Sequence, residues 1–295
     1  DYYLSDEELQ VLDGVCKYYD NVVLVLNSGG IIDLGFKDCY SSIKAVIQMG
    51  QCGMESGNAF ADVVSGKVTF GGHLTDTWAF GYEDYPNATT FSYMDGNVHK
   101  EYYKEGIYVG YRYFETFAKD KVKYPFGFGL SYTKFQTEIL GFSVQGTAVT
   151  AVAKETNVGG VSGRETVQLY LEAPQGKLGK PLRQLAAFAK TEELKPGETE
   201  ELLLKTELAE YASYDDSGVT GHKSCYVLEA GDYIFYVGTD VRSAREVGRV
   251  TLAELQVVQT VTEALAPVQA FKRLRPFFFG ENKHAIANWE DVPLR

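Results

Sequence analysis

The sequence predicts an α/β module followed by an all-β module, with a dense joint between them. Three observations carry this. Residues 22–26 (VVLVL) and 43–49 (IKAVIQM) are continuous β-branched and aliphatic runs that end in glycine-containing loops, as parallel strands buried on both faces do. After Thr133 the chain changes to short β-rich segments with turn residues between them, the pattern of a β-sandwich. Between the two lies 106–135, GIYVGYRYFETFAKDKVKYPFGFGLSYTKF. Its glycines permit close backbone approach or positive φ, and the large rings between them need a partner surface. That composition suits a rigid joint between packed bodies.

In order, Ser5 with Glu8 three residues on forms a capping box. The acids that follow Ser5 suit the positive end of a helix whose apolar stripe is Leu9, Leu12, Val15 and Cys16. The first strand ends in Asn27-Ser28-Gly29-Gly30, at the strand edge where open α/β sheets bind ligands. A ligand-facing loop and a turn that needs glycine both satisfy the pattern. The second strand ends in 50–57, GQCGMESG, and a helix follows, closed by Gly66. Strand, glycine loop and helix suggest phosphate binding, but the Lys-Ser/Thr of a P-loop and the dinucleotide spacing are missing. Glu55 would repel phosphate; at this position it complements the helix N-terminus and ties down its own loop. Asn27, Ser28, Gln51, Met54 and Glu55 lie on these two loops.

Residues 81–104 are polar and Tyr-rich, the sort of long loop that often carries function. Strands are expected at 135–144, 148–158, 166–171, 184–188, 200–206, 226–237 and 245–252, the sixth broken at 229–232. Residues 255–295 are mixed, with Pro267, Pro276 and a basic cluster at Lys272, Arg273 and Arg275, and read as a linker.

Composition limits the function classes. The 295 residues leave room for two domains, and 45% apolar with 23% charged residues is ordinary for a globular chain. A net charge of −12 argues against nucleic acid as a partner, and no apolar run reaches the length of a membrane span, so no membrane partner is expected. The four cysteines lack metal spacing and read as free thiols in a reducing, cytoplasmic setting. The four histidines are scattered, so neither a metal nor another cofactor is expected. Opening on DYYLSDEE without Met, the chain reads as an internal piece of something longer.

Several stretches together resemble glycoside hydrolase family 3, the β-glucosidase and related exo-glycosidase family. They are VVLVLNSGGIIDL, GMESGNAFADVVSGKVTFGGHLTDTW, EGIYVGYRYFE and YPFGFGLSYTKF, extended by SYDD, YVLEAGDYIFYVG and APVQAFKR. The resemblance implies a partial α/β sandwich with a mostly parallel sheet over 1–134, the aromatic joint included. It implies a fibronectin type III-like β-sandwich over 135–254. Residues 255–295 would then lead towards a missing barrel domain, as in members with inverted domain order.

It also implies retaining hydrolysis of a terminal β-linked sugar, with a β-glucoside or oligosaccharide as substrate. That chemistry needs two carboxylates about 5–5.5 Å apart, one nucleophile and one acid/base. In the family the nucleophile is an Asp on the barrel, and the acid/base Glu lies on a loop expected just before DYYLSDEE. No catalytic residue is therefore assigned in this chain, and Glu55, Glu105 and Asp76 are read as structural. The resemblance implies that the two strand-end loops face the barrel, which makes Asn27, Ser28, Gln51, Met54 and Glu55 the candidate substrate-cleft residues. The alternative is a carbohydrate-binding or scaffold module, for which the Tyr-rich loop could stack on sugars. A homo-oligomer is left open.

Overall fold

A computed structural model describes residues 2–92, 94, 96–278 and 285–294. Helix α1 (Asp6–Tyr18) begins at the expected capping box: the Ser5 amide donates to Glu8 Oε2 at 2.8 Å and the Glu8 amide donates to Ser5 Oγ at 3.3 Å. Strands β1 (Val22–Leu26) and β2 (Ile43–Gln48) follow and pair in parallel, Val23 opposite Ala45 and Leu26 opposite Gln48. A 3₁₀ turn, Gly35–Cys39, lies in their connection. Helix α2 (Ser56–Val64) comes next, and Gly66, at φ +77°, closes it.

The expectation that both faces of these strands are buried is corrected. Leu26 is the buried residue of β1 and Ile43 that of β2, while Val23 is 52% exposed. Leu26, Leu34 and Trp78 form a small core with Leu24, Val46 and Tyr124 packed against it. Among the described residues β1 pairs with β2 alone, so a single core layer lies against the pair. Of the α1 stripe, Leu12 is buried and Val15 is exposed.

Strand β3 (Trp78–Ala79) pairs with β4 (Val122–Tyr124), and between them lies α3 (Tyr111–Phe117). The sequence hid α3 because Tyr, Phe and Thr are indifferent helix formers. Burial of Phe114, Glu115 and Thr116 supports it, with Gly110 at φ +57° as its N-cap.

The all-β half is a sandwich. One sheet is β5 (Phe135–Gln145), β6 (Ala148–Asn157) and β9 (Thr199–Glu207). The other runs β13 (Arg245–Leu252), β12 (Gly231–Gly238), β7 (Thr166–Glu172) and β8 (Gln184–Lys190), all antiparallel. Strict alternation on β6 sends Val149, Ala151 and Ala153 inward, onto Val167, Leu169 and Leu171 of β7 and Phe235 of β12. A third sheet joins β10 (Ser213–Asp215), β11 (Cys225–Leu228) and β14 (Gln256–Thr260).

The 255–295 stretch, expected as a linker, holds β14 and a hairpin of β15 (Lys272–Phe278) and β16 (Ala285–Asp291). Arg273 pairs with Asp216 and with Glu290 at 2.9 Å, Leu274 is buried and its amide donates to Lys104 O at 2.6 Å, and Tyr102 meets Phe271 with ring centroids 5.7 Å apart. The hairpin is thus packed onto the body of the chain. Its pairing rests on side chains 57 residues apart in the Arg273–Asp216 case, which a local reading does not see.

The joint seats one module on the other. Gly127 has φ +85°, and a Cβ there would lie 2.8 Å from Asp240 Cα. A Cβ on Gly129 would lie 2.6 Å from Gly72 O. Val241 N donates to Phe126 O at 3.1 Å, Leu185 N to the Tyr111 hydroxyl at 2.8 Å, and Leu182 N to the Thr116 hydroxyl at 3.1 Å. Arg242 Nε lies 2.9 Å from the buried Glu115, and its Nη2 donates to Lys119 O at 2.7 Å.

Candidate functional site

Parallel pairing of β1 and β2 puts their carboxyl ends side by side, and with them the two candidate loops. Met49 N donates to Leu26 O at 2.9 Å where the loops begin, and Gln48 Nε2 donates to Ser28 O at 3.2 Å. Ser28 Oγ turns back onto Gly30 O at 2.9 Å. Gly29 and Gln51 touch: a Cβ on Gly29 would sit 3.2 Å from the Gln51 side-chain amide. The exposed Gln51 side chain would have to give way by a few tenths of an ångström to a Cβ on Gly29, so the two loops lie close together here.

The structure brings Asn27, Ser28 and Gln51 together on this rim. Asn27, Gln51, Met54 and Glu55 are exposed and Ser28 is partly covered. Met54 and Glu55 stand one turn further on, at the mouth of α2. Glu55 occupies the N-cap position, but its side chain makes no capping bond; its Oε2 instead accepts from Asn58 Nδ2 at 2.5 Å on its own helix. The rim is an open shelf of two amides, a hydroxyl, a thioether and one carboxylate, suited to hydrogen-bonding and covering a polar ligand held from the other side.

The other carboxylates that the sequence raised are held by neighbours. Glu105 accepts from Asn87 Nδ2, and Asp76 accepts from the Thr75 hydroxyl at 3.4 Å. Among the described residues no three His, Cys, Asp or Glu side chains converge as a metal would need. No helix of the described residues is long and apolar enough to cross a membrane. Cavities lie elsewhere: one of about 230 Å3 is at the seam between modules, lined by Gly71, Gly163, Arg164 and Lys190 among others, and another of about 290 Å3 is within the 92–101 loop.

Two clusters escaped the sequence reading. Glu115 with Arg242, and His73 with Glu165, cross the seam over 127 and 92 residues of chain. No motif of local spacing marks either.

Comparison with known proteins agrees with this architecture. Residues 1–111 match the glycosyl hydrolase family 3 C-terminal domain and residues 165–241 the fibronectin type III-like domain. A β-glucosidase of Ruminococcus albus is 44% identical over 293 residues, covering 99% of this chain and 30% of that protein. The crystal structure of a β-glucosidase from Paenibacillus barengoltzii superposes with a TM-score of 0.95 at 45% identity, over 100% of this chain and 33% of that one. β-Glucosidase 3B from Thermotoga neapolitana, in complex with α-D-glucose, superposes with a TM-score of 0.78 at 34% identity, over 87% of this chain and 35% of that one. The chain spans about a third of the length of these relatives. With its α/β module, its fibronectin type III-like sandwich and relatives along its whole length, the chain belongs to glycosyl hydrolase family 3.

Proposed function

We propose that this chain forms one wall of the active-site cleft of a retaining, exo-acting β-glucosidase that releases terminal β-linked sugars. The observation that carries the reading is the shelf at the adjoining carboxyl ends of β1 and β2, whose loops carry Asn27, Ser28 and Gln51, in a chain similar to β-glucosidases of about three times its length. In this reading a barrel module faces the shelf and supplies the nucleophile, and the acid/base carboxylate also lies outside these residues. The engagement of Glu55, Glu105 and Glu115 by Asn58, Asn87 and Arg242 supports structural roles for them. Exposed apolar side chains on the α/β module, Val11, Tyr18, Val23 and Val64, fit a surface that further chain covers. Four unpaired thiols fit a cytoplasmic setting.

The test is hydrolysis of a p-nitrophenyl β-glucoside by the 295-residue chain, with intact-mass spectrometry on the same sample. No turnover with a single mass of 32.8 kDa is the expected result. Turnover by that single species would overturn the placement of the catalytic groups. Calorimetric binding of gluco-oligosaccharide without cleavage, unchanged when a barrel-containing relative is present, would favour a carbohydrate-binding module instead.

A further inference from the structure

His73 lies in the seam, and both of its ring nitrogens are engaged. Nδ1 is 2.7 Å from the Gly127 carbonyl oxygen and Nε2 is 2.7 Å from Glu165 Oε1. A carbonyl oxygen only accepts, so Nδ1 carries a hydrogen. A neutral ring would then present a bare lone pair on Nε2 to a carboxylate, acceptor against acceptor. The observed contact therefore requires a second proton, shared between Nε2 and Glu165. The three partners come from three parts of the fold: His73 from the α/β module, Gly127 from the joint, and Glu165 from the sandwich at the start of β7.

A second acid stands behind the first. Glu155 points inward from β6, is 0% exposed, and neither of its carboxylate oxygens has a hydrogen-bond partner among the described residues. A carboxylate in such a place is costly unless it takes up a proton. The charged groups around the cluster come from β8 and the flanking loops. Lys190 donates to Gly71 O at 2.5 Å, Arg164 pairs with Glu192 at 3.3 Å, and Glu193 lines the adjoining 230 Å3 cavity with Arg164 and Lys190.

We propose that a proton-operated clasp holds the two modules together, in which the His73 imidazolium, bridging Gly127 and Glu165, closes the seam, and loss of its proton opens it. The inference rests on the seam and not on the substrate assigned to the cleft. The titration of the two buried groups agrees with it. Burial by itself would lower the His73 pKa, but the Glu165 hydrogen bond and charge, with the Gly127 carbonyl, raise it above the ordinary value, Lys190 opposing. Burial pushes Glu155 up to about 7, and the charge of Glu165 reinforces it. Both groups hold more protons folded than unfolded, so the sign is the same for each: the clasp is complete on the acid side and is lost as pH rises through the folded-state values.

The experiment follows the imidazole 15N resonances of His73 in the 295-residue chain from about pH 5 to about pH 9, against the exposed His99 and His222 as internal references. His73 is expected to hold both N–H protons to higher pH than they do. Over the same range the wild-type Tm is expected to fall by roughly 3–6 °C, the response of a domain of this size to one lost charge-assisted contact. His73→Lys, which keeps a cation throughout, should reduce that fall to the part that Glu155 contributes, and small-angle scattering should show the wild type expanding more than His73→Lys at the alkaline end. A His73 that loses its proton at or below the pH of His99 and His222 overturns the clasp. So does a folded His73→Lys variant whose Tm falls with pH as the wild type's does. If His73→Lys does not fold, the titration of the wild-type protein decides alone.

Discussion

Gly127 offers the most direct test of how the joint is built. The substitution Gly127→Ala adds one methyl group at φ +85°, 2.8 Å from Asp240 Cα and 2.8 Å from Gln168 Nε2. A left-handed backbone costs a residue with a Cβ about 1–2 kcal/mol. Asp240 Cα is main chain in the β12–β13 turn and cannot swing aside, so overpacking adds about 1–3 kcal/mol. The stiffer unfolded chain returns about 0.4–1 kcal/mol. The net loss is about 2–4 kcal/mol, which at ~2–4 °C per kcal/mol is a Tm decrease of roughly 5–15 °C. Gly146→Ala is the control: its φ is +63°, in the β5–β6 turn, and nothing lies within 4 Å of the added Cβ. It retains the backbone cost alone, about 1 kcal/mol or less after the entropy gain. Scanning calorimetry of the two variants side by side separates crowding at the seam from the cost of the left-handed backbone. Equal Tm decreases would refute the argument, because they would mean that Gly127 does not press against the sandwich.

Three further outcomes follow from particular contacts. Arg242→Ala leaves the buried Glu115 with Lys119 Nζ, 3.7 Å away, as its remaining ion-pair partner; the expected loss is about 2–3 kcal/mol, below the ~3–5 of a fully buried pair because Arg242 is partly exposed, and Glu115→Gln in the same chain should recover part of it in urea titrations. Asp215 is buried at the end of β10, where burial would raise its pKa but the Thr220 hydroxyl and the amides of Thr220, Gly218 and Val219 in the following turn hold it below the usual carboxylate range. Its stabilisation is present above about pH 4 and lost as pH falls further, so Asp215→Asn should flatten the acid limb of the Tm profile while leaving the alkaline limb unchanged; an unaltered acid limb contradicts this. In the complete enzyme of the proposed reading, Glu55→Gln should leave turnover within about threefold of the wild type, since among the described residues its carboxylate bonds to Asn58 of its own helix; a loss of turnover with unchanged melting would give Glu55 a catalytic role.

What the sequence made legible was local. The Ser5–Glu8 box spans four residues, and the structure reproduces both of its hydrogen bonds. Strands with strict alternation were also legible: 148–158 was expected and Ala148–Asn157 is found. The close-packing role read into the joint holds at Gly127 and Gly129. What escaped depends on distant partners. α3 is made of poor helix formers and exists because the joint buries Phe114 and Thr116. The β15–β16 hairpin has no local signature, because its Arg273 meets Asp216 only through the fold. The candidate shelf lies between, since parallel order told which loops share an edge but not that Gly29 would lie against Gln51. The seam cluster was illegible: His73, Gly127 and Glu165 have no common motif, and only the docking of the modules brings them together.

That docking has a consequence for the two halves. The sandwich buries one continuous core from β6, β7, β9 and β12, whereas the α/β module relies on small separate clusters and leaves Val11, Tyr18 and Val23 uncovered. Local opening starts where buried apolar contacts are few, so in this chain it starts in the α/β module. The seam contacts attach that weaker module to the stronger one at three kinds of point. Gly127 and Gly129 do so by shape, Arg242 by a charge that ordinary pH leaves in place, and His73 by a charge that it does not. Removing the His73 proton therefore opens the seam at His73 and leaves Arg242 and the glycine contacts to keep the modules attached. The shelf at the ends of β1 and β2 belongs to the module that this contact helps to hold.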